Sequence, residues 1–190
     1  VGDIIAIGAN INNGPNGFSS GLARVLKWDG TSWVQVGDDL NGEFFGDLFG
    51  VSVSLNASGN RLAVGAIEND GWGIDAGHVR VFEWNFEEWT QLGRDIDGDF
   101  GGKWFGYSVD LNDEGSTLVV GAPSHDSEEY AKVFTLDSKE VDAKLKDNFI
   151  NGENQDSVQI IVYAKPEDNL KYRWSFRSGG MDKIIEDEFT

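Results

Sequence analysis

One stretch of this chain is written twice. Leu48–Ile67 reads LFGVSVSLNASGNRLAVGAI, and Trp104–Pro123 reads WFGYSVDLNDEGSTLVVGAP. The same offset of 56 residues relates Trp28 to Trp84, Trp33 to Trp89, Gly21 to Gly77, Val25 to Val81, Gly37 to Gly93 and Gly42 to Gly98. The Gly-Ala step occurs three times, at Gly8-Ala9, Gly65-Ala66 and Gly121-Ala122, with separations of 57 and 56. Lys132-Val133-Phe134 follows Arg80-Val81-Phe82 at an offset of 52, so one connecting loop is four residues shorter. Beyond Leu136 the repeat is lost. A fixed period of this length constrains the fold strongly: a unit this small cannot bury its apolar face alone and must stack on copies of itself.

Each unit carries four strand-like runs. In Phe49–Leu55 the residues Phe49, Val51, Val53 and Leu55 alternate with serines, the period of a half-buried strand. Arg61–Ile67, His78–Trp84 and Trp89 to about Ile96 follow. Turn signals separate them at Ala57-Ser58-Gly59, Asn69-Asp70-Gly71 and Asn85–Glu88, and the first copy of the last turn holds Asp29-Gly30. Helical periodicity is absent. The expected class is all-β, with β-propeller-type four-stranded antiparallel blades repeating every 56 residues as part of a larger propeller. On that reading Phe49, Phe105, Trp28, Trp84, Trp33 and Trp89 are sheet-to-sheet core and cross-strand pairs. The glycines of Phe-Gly and Gly-Ala permit close backbone approach.

Composition narrows the chemistry. Thirty-three acidic residues against 15 basic ones give a formal charge of −18, which repels nucleic acid and anionic lipid. No cysteine is present, so disulfides, thiolate metal sites and thiol nucleophiles are excluded. No run of about 18 apolar residues spans a bilayer. The 25 glycines against 3 prolines suit many turns between short strands.

Phe-Gly-x-Ser-Val-x-Leu followed by Val-Gly-Ala resembles the FG-GAP repeat of integrin α-subunit propellers. With Val79-Arg-Val-Phe-Glu-Trp84 and Trp89-Thr-Gln-Leu-Gly93, the chain is similar to the Trp-rich microbial and algal variety, over about residues 1–136. The resemblance implies a non-catalytic adhesion or scaffolding propeller, extracellular, cell-surface or lumenal, with the Phe-Gly strand innermost in each blade. Calcium-binding members carry a long acidic loop between the two strands. Here that turn is Asn56-Ala-Ser-Gly-Asn60 or Asn112-Asp-Glu-Gly-Ser116, too short to supply six or seven oxygen ligands. A plain hairpin with Gly59 and Gly115 at positive φ is expected instead, and no cofactor.

Asp95, Asp97 and Asp99 form the most calcium-like run, around Gly98, but no distal acidic ligand follows. The triplet Asn56-Ala-Ser58 is a glycosylation sequon, relevant only to a secreted chain. His78 and His125 lie at non-equivalent places, and Ser124-His125-Asp126 is contiguous, whereas triads converge from separate segments. Asn10–Ser20 and Glu68–Ala76 are equivalent, Gly-rich and different in sequence, as recognition loops or merely tolerant loops would be. Phe18, Trp72, Asp70 and Asp75 are their candidate binding residues.

Val1–Ala9 matches Ser58–Ala66, so the first Phe-Gly strand is lacking, and further blades of the same polypeptide or another chain are the expected partners. Residues 137–190 diverge and are expected to form a β-rich module or closing strands, with strands near Val158–Ala164 and Leu170–Phe176. The expected function is a non-enzymatic surface propeller for protein–protein interaction, adhesion or scaffolding. The alternatives are a glycan-binding propeller and a hydrolase whose site lies on blades outside this chain.

Overall fold

A computed structural model describes residues 3–123 and 129–136, together with the backbone of the strands at 144–149, 158–161, 172–178 and 181–187. The chain divides into two compact units, Val1–Asn151 and Gly152–Thr190. All regular structure among the described residues is antiparallel strand, without helices.

The first unit holds three sheets. The first comprises β1 (Ile4–Ala9), β2 (Leu22–Trp28), β3 (Trp33–Gln35) and β4 (Leu40–Asn41), with β2 paired to all three others. The second repeats this plan one strand earlier: β5 (Ser52–Leu55), β6 (Arg61–Ala66), β7 (His78–Trp84), β8 (Trp89–Gln91) and β9 (Ile96–Asp97). The third runs β10 (Ser108–Leu111), β11 (Thr117–Ala122), β12 (Tyr130–Thr135) and β13 (Lys144–Phe149). Registers recur with the sequence period: Gly65 opposes Val79 on β7 as Gly8 opposes Ala23 on β2. In the second unit β14 (Val158–Ile161), β15 (Tyr172–Ser178) and β16 (Met181–Asp187) form a meander. The third sheet thus continues past residue 136 to β13.

The core explains why the sheets stack. Ala23, Val25, Phe49, Leu62, Val64, Ala66 and Phe82 form one buried cluster between the first and second sheets. Ala63, Val79, Val81, Phe105, Leu118, Val120 and Phe134 belong to another, between the second and third. Alternate residues of β6 and β7 therefore enter different clusters, and every residue of β6 is buried. A strand covered on both faces reads as a continuous apolar run, which is how Leu62-Ala-Val-Gly-Ala66 reads.

Backbone contact sets the spacing between sheets. A Cβ on Gly8 would overlap the Gly50 carbonyl, and one on Gly65 would overlap that of Gly106. Each Phe-Gly step thus lies against the Gly-Ala strand of the preceding sheet, and only glycine admits that approach. Polar groups add to the join: Trp89 Nε1 donates to Val36 O at 2.9 Å and Arg61 Nη1 to Gly115 O at 2.9 Å.

The hairpins at Gly59 (φ +68°) and Gly115 (φ +70°) are plain turns, as expected. Three details differ from the sequence pattern. The strand following Phe49 starts at Ser52, because Gly50 at φ +91° turns the backbone. The fourth strand is broken into β8 and β9, both paired to β7. Trp28 and Trp33 are a cross-strand pair with centroids 5.5 Å apart, but they are 39% and 43% exposed rather than core.

Candidate functional site

The chemistry-bearing cluster sits between the first and second sheets. On β7, Val79 and Val81 face the third sheet, so strand alternation turns His78, Arg80 and Phe82 toward the first. Pairing of β9 with β7, with His78 opposite Asp97, brings the preceding Asp95 alongside. Glu43 arrives from the other side, just after β4 of the first sheet. One ligand atom each from Glu43, His78 and Asp95 lie within 4.8 Å of one another.

His78 is the unusual member. It is 1% exposed. Its Nδ1 stands 4.0 Å from Asp95 Oδ2, and its buried Nε2 has no hydrogen-bond partner. Ser20 Oγ is the other such buried atom among the described residues. Burial pushes the imidazole pKa down, against the pull of Asp95 and Asp47, so the ring is neutral near neutral pH. The Glu43 carboxyl is pushed up, first by burial and then by Asp95, Asp47 and Asp97, while Arg80 opposes the rise. Asp97 is raised by burial and by Asp95, while the Trp72 hydrogen bond opposes.

Arg80 supplies the positive charge. Its Nε donates to Gln91 Oε1 at 2.8 Å and its Nη1 to Asn41 O at 3.2 Å. Its guanidinium lies 3.8 Å from Glu43 and 3.7 Å from Asp95, over the rings of Phe49 and Phe82. This cation belongs to the repeat. Lys132 sits over Phe105 and Tyr130 and pairs with Asp99 at 2.5 Å, while Arg24 pairs in bidentate fashion with Asp39. His78 does not belong to it: the matching positions hold Leu22 and Tyr130.

The three carboxylates of the most calcium-like run each have a different partner. Asp95 joins His78 and Arg80, Asp97 accepts from Trp72 Nε1 at 3.0 Å, and Asp99 pairs with Lys132. Phe18 is exposed against Phe45, with centroids 6.1 Å apart, and Trp72 is exposed beside Asp97. Asp70 accepts from the Asp75 N–H at 3.0 Å, which shapes the loop around Asp75 at φ +54°. Asn56 is buried, and its Nδ2, the atom a glycan would join, donates to Ser58 and Asn60. His125 and its neighbours lie outside the described residues. Glu43 was not singled out from sequence, and His78 was noted only as lying at a place not equivalent to His125. The available signal was the break in the repeat at Leu22, His78 and Tyr130, a polar residue where the period calls for apolar or aromatic bulk.

No family model and no curated protein matches the sequence. Among solved structures, the chain is similar to a Bacteroides uniformis protein that carries the provisional name 6-phosphogluconolactonase. The TM-score is 0.56 at 10% identity, over 90% of this chain and 48% of that one. The chain thus spans about half the length of that relative. At this identity the likeness is one of fold. The name is nonetheless an enzyme's, and it corrects the expectation of a non-enzymatic propeller, whether scaffold, adhesion module or lectin. The physical reason the expectation failed is local: the repeat describes the frame, and His78 lies outside what the frame requires.

Proposed function

We propose that the stacked sheets are blades of a β-propeller and that the chain is part of a propeller hydrolase for uncharged esters, lactones included. The reaction would take place at Glu43, His78 and Asp95. The observation carrying this reading is His78: a neutral, buried imidazole that stands beside two carboxylates and whose Nε2 has no partner. Leaving a buried polar atom unpaired costs about 1–3 kcal/mol, a cost the Leu22 position of the first sheet avoids. Perturbed titratable groups gathered in one place are the mark of acid–base sites.

The division of labour follows from exposure. Glu43 and Asp95 keep about a third of their side-chain surface, while His78 lies behind them. A carboxylate takes a proton from water, the water oxygen adds to the ester carbonyl, and the Arg80 guanidinium steadies the oxyanion. The C–O bond then breaks, and the leaving oxygen takes the proton back. The carboxyl itself holds the proton in the interval, a part that suits Glu43, whose pKa burial pushes up, and His78, neutral and next to Asp95, positions that pair. Carboxylates at Glu43, Asp47, Asp95 and Asp97 disfavour a phosphorylated substrate. Closing a propeller takes roughly four to eight blades. On this reading the hairpins are FG-GAP-like repeats, and further blades come from the same polypeptide or another chain.

The test is a turnover assay of the 190-residue chain on uncharged lactones and carboxylic esters. Hydrolysis is expected, falling about 100-fold or more in Glu43→Gln, the loss typical of an acid–base group, and falling in His78→Leu as well. A folded protein inert across that panel, or unaffected by either substitution, rejects the reading.

A further inference from the structure

The same three side chains carry a second inference, which rests on the site just described but is read out separately. We infer that Glu43, His78 and Asp95 bind a divalent transition-metal cation of the zinc or manganese type. Their donor atoms already lie within 4.8 Å of one another. In a bound state, with metal–ligand distances of about 2.0–2.2 Å, neighbouring donors stand roughly 3–3.6 Å apart. The approach required is therefore about an ångström, within the reach of side-chain torsions for two half-buried carboxylates.

Charge favours the ion. Glu43 feels the carboxylates of Asp47, Asp95 and Asp97, and the cation acting on it and on His78 is Arg80. One guanidinium against four carboxylates leaves the pocket short of positive charge. Gathering carboxylates without neutralising them is costly in a partly buried place.

The histidine supplies the independent observation. An acidic cluster alone is a common surface feature, but here a fully buried imidazole is a member of it, with Nδ1 4.0 Å from Asp95 Oδ2 and Nε2 lacking any partner. Two hard oxygen donors with one nitrogen donor suit zinc or manganese. Calcium takes six to eight oxygens and gains nothing from a histidine. Three protein ligands leave a coordination position open, the arrangement of catalytic rather than structural zinc. A cation held there would act as a Lewis acid on water or a carbonyl oxygen.

The repeat supplies the control substitution. His78→Leu places at this position the residue the first sheet carries at Leu22, so the variant keeps apolar bulk where the frame accepts it. Glu43→Gln and Asp95→Asn keep shape and remove charge. Asp113→Asn alters an exposed carboxylate outside the cluster.

The experiment is calorimetric titration of metal-stripped protein with zinc chloride, manganese chloride and calcium chloride, with circular dichroism of each variant to verify folding. One equivalent of zinc or manganese should bind with saturation. Affinity should fall about tenfold or more in each of Glu43→Gln, His78→Leu and Asp95→Asn, the size of loss expected when a ligand or its support is removed, and should be unchanged in Asp113→Asn. No saturable binding of either ion overturns the inference, as does binding that survives His78→Leu in a folded variant. Calcium bound more tightly than zinc overturns it too. Saturable zinc binding without ester hydrolysis upholds the metal site and counts against the hydrolase reading, so the two fail separately.

Discussion

Asp29 shows how much local order one exposed carboxylate imposes. Its oxygens accept from the Thr31 and Ser32 N–H groups at 2.7 and 2.8 Å and from both hydroxyls. The Ser32 and Thr31 amides, in that order, do most to lower its pKa from 3.8 to about 2. A carboxyl lowered in the folded state stabilises above its unfolded pKa, and that stabilisation is lost as pH falls. The turn joining β2 to β3 is therefore expected to hold in full above pH ~4 and to lose the Asp29 contribution as pH approaches about 2. A carbon-detected NMR titration should place this carboxyl's midpoint near 2; a midpoint at its ordinary value would mean the four bonds are not kept in solution. Asp29-Gly30 was visible in the sequence as a turn. Its counterpart closes in the same way, with Asn85 accepting from Glu87 and Glu88, although Phe86 rather than glycine takes the positive φ. At this scale the site was illegible for a plain reason. Histidine is rare enough here to notice, but nothing in a linear pattern tells that Glu43, 35 positions earlier and just after the last strand of another sheet, lies across from His78.

Elements were legible where the period and the local alternation agreed. His78–Trp84 was expected as a strand with these bounds and is β7. The pattern misled where a backbone feature without a side-chain signature intervened. Phe49 seemed to open a strand, yet Gly50 diverts the chain so that Phe49 can fill the cluster between two sheets. The glycines of the Gly-Ala strands are the sharper case, because their role depends on a neighbour from another unit. Gly65→Ala would drive a methyl into the Gly106 carbonyl, whereas a Cβ on Gly30 meets nothing within 4 Å and costs only the strain of its positive φ. Gly30→Ala should therefore cost about 1–2 kcal/mol, and Gly65→Ala clearly more. Urea denaturation of both variants decides it; equal losses would mean the sheets are not in backbone contact at Gly65.

For the molecule as a whole, the second sheet is the most protected part of the described structure. Residues of β6 are buried throughout, while those of β1 are half-buried or exposed, Ile7 at 44%. Amide exchange measured residue by residue should find β6 at least about 100-fold slower than β1, because opening β6 requires parting two interfaces. Comparable rates would mean that the sheets open independently. Each sheet meets its neighbour through the same parts: a buried Phe49 or Phe105, a glycine against a carbonyl, and a cation over the rings. Since Gly8 meets Gly50 as Gly65 meets Gly106, the interface is indifferent to which copy supplies either half. A gene for such a chain can lengthen or shorten only by whole periods: losing one full repeat rejoins surfaces that already fit, while losing half of one leaves a phenylalanine facing no glycine.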